Sequence, residues 1–245
     1  MGPPDAGAPT TDVTRRVLLC WPIFQALYPR PFANFAEGLI AAGRQTGYLF
    51  GVKVYERSLL VPAMNDLGHL VLQGGWDAVI VFDDDCFPPY DTIPRLLARC
   101  FDEGHPLVAA AGLMRNYPWT TTVARSYPEG ITAVEGGPRG VQCAGFEWLD
   151  DLPETLQDAD FCGFPAVILH RRVFEQVTPP WFGDTDAVGA RVTHDTYLCR
   201  KVKAAGLSVK VDGTIQCGHL IEAPIITREN RAASRAVLDP TGRAT

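Results

Sequence analysis

The sequence predicts an α/β fold in which a mainly parallel sheet is flanked by helices. Short apolar runs of strand length alternate with segments of helical spacing up to about residue 114. This alternation is typical of right-handed βαβ units. Residues 115 to 160 are instead rich in Gly, Pro, Thr and aromatic residues and show no clear helical period. They predict a β-rich second half that folds over the open end of the sheet.

Each element of the first half follows from its own pattern. The predicted strands are "RRVLLCW" (15–21), "YLFGVKVYE" (48–56), "AVIVF" (78–82) and "PLVAAAGLM" (106–114). The predicted helices are "FANFAEGLIAAGRQTG" (32–47), "SLLVPAMNDLGHLVLQGG" (58–75) and "TIPRLLARCFDEG" (92–104). Their apolar residues recur at helical spacing, and glycines stand where the helices end.

Three later segments complete the domain. They are "DFCGFPAVILHRRVFEQV" (160–177, strand then short helix), "THDTYLCRKVKAAGL" (193–207, helix) and "SVKVDGTIQCGHL" (208–220, strand). The chain has no internal repeat and no second domain boundary. The sequence therefore predicts one domain over residues 15–225, a flexible N-terminal tail at 1–14, and a polar C-terminal extension at 226–245.

Composition narrows the classes of function. The 245 residues are 47% hydrophobic and carry a net charge of −6, which gives no support for a surface that wraps nucleic acid non-specifically. No apolar run approaches the roughly 18 residues of a membrane span, and the first residues lack the order of a signal peptide. Seven cysteines without a CxxC pair favour reduced thiols in a cytoplasmic protein over a zinc site. No obligate protein partner is evident.

Three consecutive aspartates, Asp83 to Asp85, directly follow the apolar run "AVIVF" and precede two prolines. Like charges this close repel, and each resists desolvation. A divalent cation would neutralise them, and hard oxygen ligands suit Mg²⁺ or Mn²⁺. In an open α/β sheet, ligands bind beyond the carboxyl ends of the strands, which is where this cluster is predicted. The alternative is a solvated turn with Asx-type hydrogen bonds.

Four segments, in this order, resemble the metal-dependent GT-A glycosyltransferases of the large inverting family-two-like group. They are "VIVFDDDCFPP", "DFCGFPAVILHRRVFEQVTPPWF", "THDTYLCRKVKAAGLSVKVD" and "CGHL". The compact single domain without a membrane helix resembles glycosyltransferases carried by bacterial viruses. The resemblance implies a Rossmann-like GT-A domain with a β-rich acceptor half, a nucleotide-sugar donor (a UDP-sugar first), and Mn²⁺ or Mg²⁺.

Carried over from the DxD motif, Asp85 ligates the metal. Asp83 binds the donor ribose or a metal-bound water, so it also belongs to the metal side. Asp84 fills the variable middle position on the donor side. His219 stands where similar enzymes have a histidine that completes the metal site. The purely structural alternative for His219 is packing against an apolar strand.

Further donor contacts are implied upstream. The helix "VPAMNDLGHLVLQGGWD" resembles one that often has Ala-Arg-Asn. Asn65 is kept and assigned to the donor, whereas Met64 replaces the arginine. Arg57 is the candidate to compensate, and Pro22, just after the first predicted strand, is assigned to the donor side as well.

The acceptor side rests on the second and third segments. Gly163 would let backbone approach a sugar, and Trp181 and Phe182 would form an aromatic wall, with core packing as the alternative. Asp195 takes the position of the catalytic base at a helix start. A carboxylate there would also interact favourably with the positive end of the helix dipole. His194 replaces the Glu that the family usually has.

These residue types match the needs of glycosyl transfer with inversion. A cation stabilises the leaving diphosphate, a carboxylate takes the proton of the acceptor hydroxyl, and the domain aligns the reactants. The acceptor is left open between a hydroxymethylated base in viral DNA and a glycan, lipid or protein. A local basic groove for DNA would draw on Arg115, Arg125, Arg139, Arg171, Arg172 and Arg191.

Two other functions fit parts of the pattern. A phosphatase of the haloacid-dehalogenase type also begins with an apolar strand and DxD, but Cys86 after the motif and some 80 preceding residues count against it. A non-catalytic nucleotide-sugar binder is supported by Met64 and His194.

Overall fold

The structure, a computed structural model, describes residues 14–23, 28–114, 119–126, 132–135, 141–144, 146–152, 154–185 and 191–220. Apart from residue 14, the predicted N-terminal tail lies outside these ranges, as does the predicted C-terminal extension. Within the described ranges, none of the helices is both long enough and apolar enough to cross a membrane.

Strands and helices alternate through the first half, as predicted. The strands are β1 (Arg15–Ile23), β2 (Tyr48–Glu56), β3 (Ala78–Phe82), β4 (Cys86–Phe87), β5 (Leu107–Ala111), β6 (Val123–Ser126), β7 (Thr132–Glu135), β8 (Val141–Ala144), β9 (Phe146–Trp148), β10 (Leu156–Asp158), β11 (Phe161–Cys162), β12 (Ala166–His170), β13 (Lys210–Gln216) and β14 (Gly218–His219). The helices are α1 (Pro29–Ala42), α2 (Leu60–Gln73), α3 (Thr92–Leu97), α4 (Arg171–Gln176) and α5 (His194–Ala204), and a π-helical turn (Ala98–Asp102) continues α3.

Seven strands form the central sheet, in the order β10-β13-β5-β12-β3-β1-β2. The pairs β1–β2, β1–β3 and β5–β13 are parallel. Strand β12 lies between β3 and β5 and is antiparallel to both, and β10 is antiparallel to β13. The prediction of a mixed α/β, Rossmann-like fold with a mostly parallel sheet and flanking helices is confirmed.

Two edges of this sheet matter for function. We call the edge where β1, β2, β3 and β5 end the carboxyl edge, and the opposite one the amino edge. Because β12 runs against its neighbours, its first residue Ala166 pairs with Phe82 at the carboxyl edge. Its last residue, His170, pairs with Ala78 at the amino edge.

The core has two layers, one on each face of the sheet. Along β3, Val79 and Val81 belong to the layer that includes α2, α4 and α5. Ala78, Ile80 and Phe82 belong to the layer that includes α1 and α3. A strand buried on both faces needs apolar residues at every position, which is why this run reads as continuous rather than alternating.

The second half is β-rich, as predicted. Strands β11, β6 and β9 form a three-stranded sheet, and β7 pairs with β8. None of the described residues between 115 and 160 is helical. Strand β14 pairs with β4 in a small ladder, and this pairing brings the end of the chain's last described strand to the carboxyl edge.

Candidate active site at the carboxyl edge

The three aspartates form a turn at the carboxyl edge. Strand β3 ends at Phe82, and the chain turns through Asp83 to Asp85 into β4. The Asp83 backbone N–H donates to the Pro165 carbonyl (3.2 Å), just before β12 begins. Neighbouring segments therefore fix the backbone of the acidic turn. The location agrees with the rule that ligands of open α/β sheets bind beyond the strand ends.

His219 lies against this turn because β14 pairs with β4. His219 stands opposite Cys86 in the ladder, and the Leu220 N–H donates to the Asp85 carbonyl (2.8 Å). The His219 Nε2 atom is 3.3 Å from Asp85 Oδ1. Two groups separated by 134 residues in sequence are thus brought into direct contact, well inside the distance that shared metal ligation allows.

The backbone also orients the imidazole of His219. Its Nδ1 lies 2.7 Å from the Leu113 carbonyl, and a carbonyl can only accept, so Nδ1 carries the proton. In the neutral ring Nε2 then presents its lone pair toward Asp85. A metal-ligating histidine usually donates one ring N–H to a backbone carbonyl or a carboxylate, which leaves the other nitrogen for the metal. His219 and Asp85 side chains are 15% and 14% exposed, so the pair is sheltered yet reachable.

The donor set fits a divalent cation. Ligand atoms of Asp85, Cys86 and His219 lie within 4.8 Å of one another, the one such group among the residues that the structure describes. Burial, with Asp83 and Asp85 adding to it, raises the pKa of the Cys86 thiol well above its usual range. The carboxylate and the imidazole are therefore the better ligands. Asp83, predicted on the metal side, is outside this group, and Asp84 follows it in the turn.

Asp195 is the second residue of α5. Its Oδ1 accepts the backbone N–H of Thr196 (2.7 Å) and the hydroxyl of Thr193. A carboxylate in the first helical turn is favoured by the unpaired N–H groups there. Asp195 therefore does stabilise the start of the helix, as the alternative predicted. Both of these hydrogen bonds use Oδ1, so Oδ2 is left for other partners.

A short chain of contacts connects the start of α5 with the acidic turn. The ring of His194, beside Asp195, lies 6.2 Å from the ring of Phe164. The next residue, Pro165, accepts the hydrogen bond from Asp83. The two predicted carboxylate positions therefore belong to adjoining segments of one region.

Trp181 and Phe182 are packed in the core instead of forming an open aromatic wall. They are 2% and 1% exposed. The Trp181 indole N–H donates to the carbonyls of Phe174 and Val177, and its ring covers Gly68 so closely that a Cβ there would come within 2.5 Å. Burying two large apolar side chains removes much apolar surface from water, which favours core packing over an exposed aromatic wall.

Asn65 explains how this segment is held. Its Oδ1 accepts the backbone N–H groups of Trp181 (2.9 Å) and Phe182 (3.1 Å). Its Nδ2 donates to the carbonyls of Phe182 (2.8 Å) and Val61 (3.0 Å). All four hydrogen-bonding positions of the amide are occupied, so the side chain serves the fold rather than the predicted donor contact.

Gly163 is also required by packing. Its N–H donates to the Thr122 carbonyl (2.6 Å), and a Cβ would lie 2.8 Å from the Thr122 Cβ. The close approach that only glycine permits here is to a neighbouring strand of the protein, whereas the sequence interpretation had assigned it to a sugar.

The two remaining donor-side residues, Pro22 and Arg57, lie at the carboxyl edge. Cys20 pairs with Val81 in the parallel β1–β3 ladder. Pro22 and Asp83 each follow two residues later, so Pro22 lies level with the acidic turn. Arg57 follows β2, and its N–H donates to the Ile23 carbonyl (3.0 Å). Met64, which stands in place of the family's arginine, is 1% exposed in the core. An arginine at that position would point into apolar surroundings, so its absence removes no contact at this edge.

The predicted basic groove is not formed by the Arg171–Arg172 pair. Both follow His170, which the antiparallel direction of β12 places at the amino edge. The sequence pattern did not reveal this reversal. Arg125 and Arg191 are exposed, and positions 115 and 139 lie outside the described residues.

Two contributions were missed by sequence reasoning: the Leu113 carbonyl that orients His219 and the Thr122 contact with Gly163. Backbone carbonyls carry no sequence signal, so only three-dimensional pairing reveals them. The six described cysteines are all buried free thiols. Cys143 was also predicted to be reduced, but its side chain is not described.

No protein-family model matches the chain, and no curated protein matches it. Among solved structures, it is similar to A197 from STIV, with a TM-score of 0.54 and 14% identity over 86% of this chain and 93% of that one. At such identity the likeness shows the fold alone.

Two further solved structures are similar over most of their length. One is CMP:2-keto-3-deoxy-manno-octonic acid synthetase complexed with CTP, with a TM-score of 0.43 and 12% identity over 93% of this chain and 99% of that one. The other is described as a glucose-1-phosphate thymidylyltransferase from Bacillus anthracis in complex with sucrose, with a TM-score of 0.41 and 9% identity over 94% and 97%.

Proposed function

We propose that the protein is a metal-dependent glycosyltransferase that moves a sugar from a nucleotide-sugar donor, first a UDP-sugar, to an acceptor hydroxyl with inversion. The observation that carries this proposal is the contact between Asp85 and His219, 3.3 Å apart at the carboxyl edge. The resemblance of the acidic turn to a DxD motif supports the same conclusion.

In this proposal Asp85 Oδ1 and His219 Nε2 hold the cation. The carboxylate suits Mg²⁺ or Mn²⁺, and the imidazole nitrogen favours Mn²⁺ of the two, because hard Mg²⁺ prefers oxygen ligands. When bound, the cation stabilises charge on the leaving diphosphate. The Leu113 carbonyl keeps the imidazole in the tautomer that can bind.

Asp195 acts as general base toward the acceptor hydroxyl. Its Oδ1 is used by Thr193 and Thr196, so the other oxygen is the one that would receive the proton. Attack by the deprotonated hydroxyl, opposite to the leaving diphosphate, inverts the anomeric centre. Asp83 and Asp84, with Pro22 and Arg57 nearby at the same edge, remain the candidates for contacts to the nucleotide.

The test is a donor screen by hydrolysis without acceptor, run with Mn²⁺, Mg²⁺ or excess chelator. We expect release of nucleoside diphosphate from one donor, abolished by chelator and by both Asp85→Asn and His219→Gln. Full activity in excess chelator would contradict the metal assignment. Donor binding without any turnover would favour the non-catalytic binder, and inorganic phosphate released from small phosphomonoesters would favour the phosphatase.

The acceptor belongs to the same proposal. A hydroxymethylated base in viral DNA is the first candidate, and a glycan, a lipid or a protein side chain are the others. The best donor from the screen is incubated with each acceptor class, and mass spectrometry of the product measures the added sugar. Transfer to a glycan but not to hydroxymethylcytosine DNA would overturn the first candidate without affecting the rest.

A further inference from the structure

A second concave site lies at the amino edge, at the opposite end of the strands from the acidic turn. Its volume is about 310 Å³, at the lower end of ligand pockets. The described lining residues are Arg15, Asp77, Cys100, Phe101, Gly104, His170 and Arg172. Arg15 begins β1, Asp77 precedes β3, and His170 ends the antiparallel β12. The proposed transfer reaction uses none of these residues.

Arg172 brings one guanidinium to this cavity. Its Nη2 donates to the Gly104 carbonyl. Its Nε is buried, yet it has no hydrogen-bond partner among the described residues. A guanidinium binds carboxylate or phosphate through a planar fork of N–H groups.

Arg15 brings a second guanidinium to the same cavity. Its Cζ lies 4.3 Å from the centre of the Phe101 ring, so the aromatic face holds the side chain in place. Arg15 forms a 4.0 Å ion pair with Asp102, whose side chain is 70% exposed. Exposed pairs of this kind contribute little, so an incoming anion can replace Asp102.

His170 supplies a neutral donor. Its Nδ1 accepts the backbone N–H of Arg172 (3.1 Å), so the proton of the neutral ring sits on Nε2. The edge of the ring packs on Phe101 at 5.7 Å. The one carboxylate in the lining, Asp77, accepts the Arg16 backbone N–H through Oδ2 (2.7 Å). The described lining therefore carries two guanidiniums and one carboxylate, and that carboxylate already accepts a hydrogen bond.

We propose that this cavity binds the phosphate group of a small phosphorylated molecule. Arg172 and Arg15 would hold the phosphate oxygens through their guanidinium N–H groups. The cavity is several times larger than an inorganic phosphate, and Phe101 is part of its lining, so an organic body fits beside the phosphate. A free phosphate and a phosphate ester share this chemistry, and the experiment separates them.

The test is a titration of the ¹⁵N-labelled full chain by NMR at constant ionic strength, with inorganic phosphate, ribose 5-phosphate, malonate and chloride. We expect saturable shifts at the amides of Phe101, Gly104 and Arg172, with ribose 5-phosphate binding more tightly than phosphate. Arg172→Met should weaken binding about tenfold or more, as expected for losing a charge-assisted hydrogen bond. Arg15→Met is the second variant, in case the first disturbs α4.

Arg44→Met is the matched control, because it removes the same charge from an exposed turn after α1. An equal loss of affinity in this control would reduce the effect to net charge and overturn the proposal. Shifts that do not saturate, that occur only with malonate, or that survive both Arg172→Met and Arg15→Met would overturn it as well. These readouts are independent of glycosyl transfer, so a failure here leaves the transfer proposal untouched.

Discussion

At the scale of single residues, Asp85 and Asp195 have different tasks in the proposed mechanism. Asp85→Asn should weaken Mn²⁺ and donor binding together, because the amide lacks the charge that holds the cation. Asp195→Asn should leave donor affinity nearly unchanged and lower turnover by about 10²- to 10⁴-fold, as for loss of a general base. The asparagine keeps the Oδ1 that accepts the Thr196 N–H, so the fold should survive.

Calorimetry with the donor and turnover at saturating acceptor measure the two effects separately. Wild-type turnover in Asp195→Asn would restrict Asp195 to the helix end, and His194 would become the next candidate for the base. Thr193→Val is a suitable control, since it removes the hydroxyl partner of Asp195 without touching the carboxylate.

Asn65 is predicted to matter for stability rather than donor binding. Asn65→Leu leaves the N–H groups of Trp181 and Phe182 without their acceptor. A buried group left unpaired costs about 1–3 kcal/mol, so the free energy of unfolding should fall by at least about 2 kcal/mol in urea titrations. Asn65→Asp retains the acceptor, so its free energy of unfolding should lie between those of the wild type and Asn65→Leu. A loss below about 0.5 kcal/mol for Asn65→Leu would contradict this account.

At the scale of elements, the π-helical turn after α3 is joined to β13 by one charged pair. Arg99 Nε donates to Asp212 Oδ2 at 2.8 Å, and the Asp212 side chain is only 1% exposed. Burial alone would raise the pKa of Asp212, but hydrogen bonds from Thr214 and Arg99 outweigh it and lower the pKa. The charged form is therefore the stable one in the folded protein.

A pH-dependent stability effect follows from this pair. The folded pKa of Asp212 is depressed, so its contribution is present above the unfolded pKa of about 3.9 and is lost as pH falls through the folded value. Arg99→Met should lower the free energy of unfolding by about 3 kcal/mol at pH 7, the lower end for breaking a buried pair. The difference in the free energy of unfolding between Arg99→Met and the wild type should become smaller below about pH 4. A pH-independent difference would show that packing, not charge, is responsible.

At the scale of the whole molecule, metal binding should stabilise the fold. A cation that binds only the folded chain at 100 times its Kd adds about 2.7 kcal/mol, which raises Tm by about 5–10 °C for a chain of this size. Mn²⁺ should produce this shift in a thermal melt, and chelator should reverse it. His219→Gln and Asp85→Asn should melt at the same temperature with and without Mn²⁺. An undiminished shift in both variants would place the cation elsewhere.

The α/β class, the alternation of elements through residue 114 and the β-rich second half were predicted from sequence. The acidic turn was also predicted to follow a central strand, and it does. These features are carried by local patterns: apolar runs for doubly buried strands, helical spacing, and glycines at helix ends. The direction of a segment and its partners leave no such local trace.

The sequence by itself determined which residues are chemically suited to hold a cation, namely the aspartates after β3 and the late histidine at position 219. Only the tertiary structure decided that Asp85 and His219 meet, through the β4–β14 ladder. It also decided that Trp181 and Phe182 are buried and that Arg172 points to the opposite edge. The physical reason is that strand direction and side-chain burial depend on contacts between segments that are distant in sequence. Local sequence patterns carry no information about those contacts.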